Sequence, residues 1–191
     1  MPELGRRIAV WGPTGSGKTT LGRRLGQRLG LPVVEMDTLF WLPNWGAKPA
    51  DRFQADVRGA LDAHANGWIS VGNYHSALGG LVLSQADTVI WLRLPFRVTF
   101  WRLFKRTIAR AWTKQPLWEG NPNTESWRQT FLSKDSILLF AITSRKSHVE
   151  RTLANLEQTP HRGRVLVLRS ARNVEGLLNA LPESRVGAPR Q

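Results

Sequence analysis

Ile8-Ala9-Val10-Trp11-Gly12-Pro13-Thr14-Gly15-Ser16-Gly17-Lys18-Thr19-Thr20-Leu21 passes from an apolar run, through three glycines, into a segment that can continue as a helix. Gly12 to Thr19 meet the pattern G-x-x-x-x-G-K-[ST] at every fixed position, in the strand-to-helix context which that pattern requires. Each residue type has a physical task. Gly12, Gly15 and Gly17 let the backbone wrap closely and aim its N–H groups at one centre, with Pro13, Thr14 and Ser16 completing the turn. The helix that starts after Gly17 adds the positive end of its dipole. Lys18 supplies a cation that can reach the outer phosphates of a nucleoside triphosphate, Thr19 a hydroxyl that can ligate magnesium, and Thr20 a second hydroxyl near the α phosphate. The stretch reads as a cradle for ATP and Mg2+, although it does not by itself say what the triphosphate is used for.

Working outward, apolar β-branched runs alternate with helical periodicity, the mark of a parallel α/β domain. Strands are expected at Arg7 to Trp11, Pro32 to Glu35, Trp68 to Val71, Thr88 to Leu92 with an extension to Leu94, and Val165 to Leu168. Helices are expected from Gly17 to Leu29, closed by Gly30, and from Ala50 to His64, where Phe53, Val57 and Leu61 share a stripe. Further helices are expected from Phe96 to about Trp112, Asp135 to Glu157 with a weak middle at Thr143-Ser144, and Asn173 to Leu181. Asp37 to Pro49 reads as a loop. The breaker-rich Thr113 to Glu125 reads as a loop or the turn of a lid at about 112–134, and the tail 182–191 as disordered. One domain over 1–181 accounts for the length.

Composition narrows the chemistry. The 191 residues contain no cysteine, which excludes disulfides, thiolate metal sites and thiol catalysis. No apolar run is long enough to span a membrane, and the N-terminus lacks a signal pattern, so a cytoplasmic protein is expected. The net charge of +13 is unevenly placed: residues 1–92 carry a balance of +2 and residues 93–172 one of +11. Such a field attracts polyanions, either nucleotides or nucleic acid. Oligomeric state is not legible.

Several residues beyond the loop can carry chemistry. Asp37 lies past the second strand, at the sheet edge where open α/β folds bind ligands, and can organise magnesium or accept a bond from a substrate hydroxyl. The alternative is a turn cap, and Glu35 is a second choice. Gly72-Asn73-Tyr74-His75 follows the third strand at the same edge. Arg102, Arg106 and Arg110 recur at intervals of four on one helix face, with Trp101, Phe104 and Ile108 as the opposing apolar stripe. Three like charges in a row repel, and a bound anion relieves them; a solvated basic face is the plainer reading. Arg128 and Lys134 flank the breaker-rich segment, whereas Arg145, Lys146 and Arg151 read as surface. The four histidines have no metal-ligand spacing.

With these pieces assembled, the chain resembles the adenylate kinase-like P-loop kinases, and among them the bacterial topology modulation proteins. The resemblance covers about residues 7–181. It rests on Gly12–Thr19, Met36-Asp37-Thr38-Leu39-Phe40-Trp41, Gly72-Asn73-Tyr74, Ala86-Asp87-Thr88-Val89-Ile90-Trp91-Leu92, and Arg102 with Arg106. It implies a three-layer α/β fold with a five-stranded parallel sheet of order 2-3-1-4-5 and a small lid. It also implies phosphoryl transfer from magnesium-ATP to a small acceptor, with Lys18, Arg102, Arg106, Asp37 and Arg128 catalytic and Thr19 and Asp37 toward the metal. Asp37, Asn73 and Tyr74 would face the acceptor, and Arg169 the adenine. Val71 stands where relatives usually have an acidic residue, which places more weight on Asp37, and residues 75–80 lack an arginine that often holds an acceptor phosphate. The rival reading is a nucleotide-controlled module that binds nucleic acid or protein through residues 93–172, where Trp101, Trp112, Trp118 and Trp127 are interleaved with basic residues; a simple ATPase is a third.

Overall fold

Strand β1 (Arg7–Trp11) alternates its side chains between two buried layers, with Ile8 and Val10 on one face and Ala9 and Trp11 on the other. A strand buried on both faces belongs in the middle of a sheet, and in a computed structural model of the protein β1 occupies that position. The structure describes residues 4–113, 117–118, 121–124, 136–159 and 163–182. The remaining strands are β2 (Val33–Glu35), β3 (Trp68–Val71), β4 (Thr88–Leu92) and β5 (Arg164–Leu168). They form one parallel sheet of order β2-β3-β1-β4-β5, as the resemblance implied. The expected extension of β4 to Leu94 does not form, because Pro95 follows at once and helix begins at Phe96.

The helices are α1 (Lys18–Leu29), α2 (Met36–Phe40), α3 (Ala50–Asp62), α4 (His75–Leu78), α5 (Phe96–Thr113), α6 (Ile137–Thr143), α7 (Arg145–Gln158) and α8 (Ala171–Asn179). One layer packs Leu21 and Leu25 of α1 and Leu177 and Leu178 of α8 against Ile8, Val10, Ile69 and Ile90. The other packs Phe53, Val57 and Leu61 of α3, the expected stripe, against Ala9, Trp11, Trp68 and Trp91. Helix α1 approaches the sheet closely through Gly22 and Gly26. A Cβ on Gly22 would fall 2.5 Å from Val71 Cγ2, and one on Gly26 would fall 2.7 Å from Val33 Cγ2 and 2.9 Å from the Leu31 carbonyl oxygen. Gly30 then takes a left-handed conformation and ends the helix, its N–H donating to the Gly26 carbonyl.

Three expectations are corrected. Asp37 is not in a loop: Met36–Phe40 is a helical turn and Pro43–Trp45 a 3-10 turn. The buried face of α5 is Thr99, Leu103, Thr107 and Ala111, while Trp101, expected in the core, is 55% exposed. The reason is steric. Helix α5 lies against the glycine-rich loop, where a Cβ on Gly15 would come within 2.3 Å of the Thr99 carbonyl oxygen. Thr99 and Leu103, one helical turn apart, fill that contact, and Trp101 falls on a different row of the helix. The long helix expected over Asp135 to Glu157 is two helices, with the break at Ser144, beside the weak point of the pattern. All but the first residue of the tail expected over 182–191, and most of the lid expected at about 112–134, lie outside the described residues; α5 itself runs to Thr113. Among the described residues, no helix is long and apolar enough to cross a membrane.

The glycine contacts make opposite predictions for one chemical change. Gly26→Ala should lower unfolding free energy by about 1–3 kcal/mol through overpacking. Gly59→Ala, in the interior of α3 with nothing within 4 Å of the new Cβ, should raise it by about 0.4–1 kcal/mol. Urea unfolding of the two variants checks both signs.

Candidate active site

The parallel strands all end on one edge, and the loop Gly12–Gly17 crosses it between β1 and α1. Gly15 and Gly17 take φ of 79° and 92°, a region that costs a residue with a Cβ about 1–2 kcal/mol. Helix α1 begins with no side-chain cap and no acidic residue in its first turn, so its leading N–H groups and dipole face the loop's concavity. Ser16 Oγ is buried there without a hydrogen-bond partner. This geometry fits a bound polyphosphate: donors converge, and no carboxylate competes at the helix start.

Lys18 is folded back onto the loop, its Nζ donating to the Gly12 carbonyl at 2.9 Å and the Pro13 carbonyl at 3.2 Å. Burial lowers its pKa to about 8; Asp37 nearby opposes that shift and Arg106 reinforces it. One lysine thus lies within electrostatic reach of a carboxylate from α2 and a guanidinium from α5. Arg102 comes to the same loop, with Nη1 3.8 Å from where a Cβ on Gly17 would sit, and is exposed. Arg110 lies farther along the same helix. Thr19 occupies the first turn of α1, with Thr20 exposed beside it. Arg169 is exposed just past β5, its backbone N–H donating to Asn173 Oδ1 at 3.2 Å. Arg128 and Lys134 lie outside the described residues.

Asp37 and Tyr74 come together as expected: the Tyr74 hydroxyl donates to Asp37 Oδ1 at 2.6 Å. Burial and the adjacent Asp37 charge push the phenol pKa up, so the hydroxyl stays protonated and keeps donating. Phe40 and Phe53 pack on the Tyr74 ring with centroids at 4.6 and 5.3 Å. Glu35, the second choice, instead pairs with Arg23 at 2.8 Å, turned toward α1. Asn73 departs from expectation. Its amide is turned to the loop, not to the acceptor side, and bonds both the backbone N–H and the backbone carbonyl of Gly12. Val71 is 4% exposed and packs toward Gly22, so a carboxylate there would be desolvated beneath α1.

Two features escaped the sequence reading. His148, on α7, meets Asn73 beside the loop, its Nε2 2.8 Å from Asn73 Nδ2; a lone histidine about 75 positions from its partner carries no local signal. Second, Asn121 and Asn123 fasten the segment after α2. Asn121 Nδ2 donates to the Trp41 carbonyl and Asn123 Nδ2 to the Leu42 carbonyl, each at 2.8 Å, and Asn123 Oδ1 accepts from the Trp45 N–H at 3.1 Å. Asn44 and Trp45 sit there with φ of 59° and 61°. Trp41, Trp45 and Trp118 pack edge to face, with centroids 5.6 and 6.0 Å apart. Among the described residues, no group of three His, Asp or Glu side chains is placed to hold a metal ion. A magnesium ion carried in on phosphates would need fewer protein ligands than such a group.

Comparison with known proteins agrees with this geometry. A family model for shikimate kinase matches residues 14–58, from the loop into α3. The structure superposes on shikimate kinase from Acinetobacter baumannii, solved in complex with shikimate, with a TM-score of 0.51 and 16% identity, over 91% of this chain and 89% of that one. It superposes on a deoxyadenosine kinase from M. mycoides, solved with dCMP and a flexible dCDP bound, with a TM-score of 0.50 and 15% identity, over 91% and 97%. A 49-residue stretch is 39% identical to threonine synthase-like 1 of Mus musculus, which is 26% of this chain and 7% of that protein. The chain therefore spans only a small fraction of that relative's length. The chain has the fold of the P-loop kinases.

The low pKa of Lys18 has a measurable sign. A triphosphate bound beside it favours the charged amine, so binding takes up a proton wherever the free lysine is neutral. Affinity should be full below pH 8 and fall as pH rises past about 8. Titration calorimetry with MgATP on both sides of that pH measures the loss, and Lys18→Ala should remove the dependence along with most of the binding.

Proposed function

We propose that the protein is an ATP-dependent kinase that transfers a phosphoryl group to a hydroxyl of a small acceptor. The observation that carries the reading is Lys18 on the glycine loop, within electrostatic reach of the Asp37 carboxylate and the Arg106 guanidinium. In phosphoryl transfer the protein's task is positioning and neutralisation of charge, with little covalent chemistry of its own. The loop N–H groups and Lys18 hold the donor phosphates. Arg106 and Arg102 face the loop from α5 and neutralise charge as the phosphoryl group moves. Asp37, steadied by Tyr74, accepts the hydrogen bond of the attacking hydroxyl. Arg169 lies at the strand end expected to approach the adenine, and Arg128 is proposed as a further phosphate contact. Thr19, with Asp37 directly or through water, would hold magnesium, which when bound supplies charge neutralisation between the outer phosphates.

The acceptor class follows from the side chains near Asp37. The Tyr74 hydroxyl donates to the carboxylate and its ring packs on Phe40 and Phe53, while Lys48, in the lead-in to α3, is paired with Asp56. That setting suits an uncharged hydroxyl-bearing acceptor better than a phosphorylated one. The test incubates the protein with magnesium and labelled ATP against nucleosides, nucleoside monophosphates, sugars and small alcohols. One neutral acceptor should take label. Lys18→Ala should abolish transfer, and Arg106→Ala should lower turnover more than ATP affinity. Unchanged turnover in Lys18→Ala overturns the assignment.

A specific observation also supports a second reading, contact with nucleic acid. Trp101 and Trp112 are 55% and 79% exposed on a helix that carries arginines and no acidic residue, and the Lys105 ammonium lies 5.3 Å from the Trp101 ring centroid. Exposed indoles beside cations suit stacking on unpaired bases. If this face binds single strands, oligonucleotide affinity should fall with salt, and Trp101→Ala with Trp112→Ala should weaken it by more than tenfold, at about 1–3 kcal/mol per stacked base. Equal binding by the double variant removes the reading.

A further inference from the structure

The Gly12 backbone stands where β1 turns into the phosphate loop, and both of the peptide groups that meet at its Cα are held from outside the loop. Its N–H donates to Asn73 Oδ1 at 3.0 Å and its carbonyl accepts from Asn73 Nδ2 at 2.5 Å. This reciprocal pair fixes the amide orientation, because a flipped Asn73 would set donor against donor and acceptor against acceptor. The second hydrogen of Nδ2 is then left for His148 Nε2, 2.8 Å away. A nitrogen that receives a hydrogen bond carries a lone pair, so the ring proton sits on Nδ1. Nδ1 faces Thr152 Oγ1 at 3.5 Å, and that oxygen is free to accept because its own hydrogen goes to the His148 carbonyl at 2.8 Å. Burial holds the imidazole pKa down to about 4. Lys18 on α1 and Arg151 on α7 act in the same direction, and the Gly12 backbone opposes them. The ring is therefore neutral at pH 7, as the bond from Asn73 requires.

We propose that His148 is a positioning residue for the nucleotide: through Asn73 it holds the Gly12 peptide in the orientation that the loop needs around phosphates. The proposal rests on the ATP-binding reading above and extends it to a helix more than a hundred residues downstream in the chain. The physical need is clear from Lys18. Its Nζ now donates to the Gly12 and Pro13 carbonyls, and any movement of the ammonium toward a phosphate weakens the first of these bonds. Asn73 Nδ2 then remains as the donor to a half-buried carbonyl, and it does so only while the amide keeps its orientation. His148 gives the amide's other hydrogen an acceptor. Without it, one amide hydrogen loses its partner and the rotation that breaks the Gly12 clamp becomes less costly.

Calorimetric titration of MgATP into wild type, His148→Leu, His148→Gln, Asn73→Ala and the His148→Leu/Asn73→Ala pair tests this, with thermal melts to confirm folding. Loss of one buried hydrogen bond should weaken MgATP binding by about fivefold in His148→Leu. His148→Gln, whose side-chain oxygen can accept from Asn73, should restore most of the affinity. The double variant should bind no more weakly than Asn73→Ala alone, because the two residues act in series. Wild-type affinity in His148→Leu, failure of His148→Gln to rescue, or fully additive losses would each overturn the proposal while leaving the ATP-binding reading intact. If His148→Leu does not fold, His148→Ala and its combination with Asn73→Ala take its place and decide between series and independent action. A wild-type protein that binds no MgATP overturns both.

Discussion

The parallel pairing of β1 with β3 on one side and β4 on the other is the constraint on which the site depends. Val10 is in register with both Val71 and Ile90, so three strands end at the same level of one sheet edge. Gly12 therefore emerges between Asn73 and Leu92. Close approach is enforced there: a Cβ on Gly12 would fall 2.9 Å from the Leu92 carbonyl oxygen and 2.7 Å from Ser16 Oγ. The Gly72 N–H, donating to the Val10 carbonyl at 3.3 Å, carries the pairing one residue past β3. From this common level α1 leaves on one face of the sheet, and the segments after β2 and β3 bring Asp37 and Tyr74 toward Lys18.

The electrostatics follow from gathering cations around a single carboxylate. Burial is the main cost to the charge on Lys18; Asp37 offsets part of it, and Arg106 adds a smaller repulsion. The lysine therefore lies against its own loop's carbonyls, a local arrangement that leaves the charge desolvated. Polyphosphate chemistry reverses the balance, because an anion of several charges turns repulsion among cations into shared attraction. The excess charge of the chain is concentrated in the half that contains α5, and that helix lies against the loop through Gly15. The field that composition reveals thus has a focus.

The far side of the site is built by different means. The segment from Trp41 to Ala47 has no regular strand or long helix to hold it. It contains two residues in the left-handed region, each a strain of about 1–3 kcal/mol. Side-chain amides from Asn121 and Asn123 and a file of three tryptophans hold it in place. Lys18, Thr19 and the loop glycines rest instead on a strand and helix with continuous backbone bonding. The loop side is rigid by secondary structure and the far side by side-chain contacts, which can change without disturbing the fold.

Local chemistry was legible in the sequence wherever neighbours in the chain are neighbours in space. The glycine spacing, the lysine and the following helix defined the phosphate loop. Gly30 ended α1, the Phe53-Val57-Leu61 stripe was buried, and Thr143-Ser144 marked a real break. The tertiary structure alone decided what depends on distant partners. The hydrophobicity of Trp101 pointed inward, but the row of α5 that meets Gly15 is Thr99 and Leu103, continued by Thr107 and Ala111, so the indole on another row lies outside. Asn73 read as a group for the acceptor, yet strand register sets it against Gly12. His148 had no motif to announce it, because its meaning comes from a partner 75 residues away. A sequence records periodicity and local conformational need; which buried groups satisfy one another is settled only when strands and helices from separate parts of the chain share one volume.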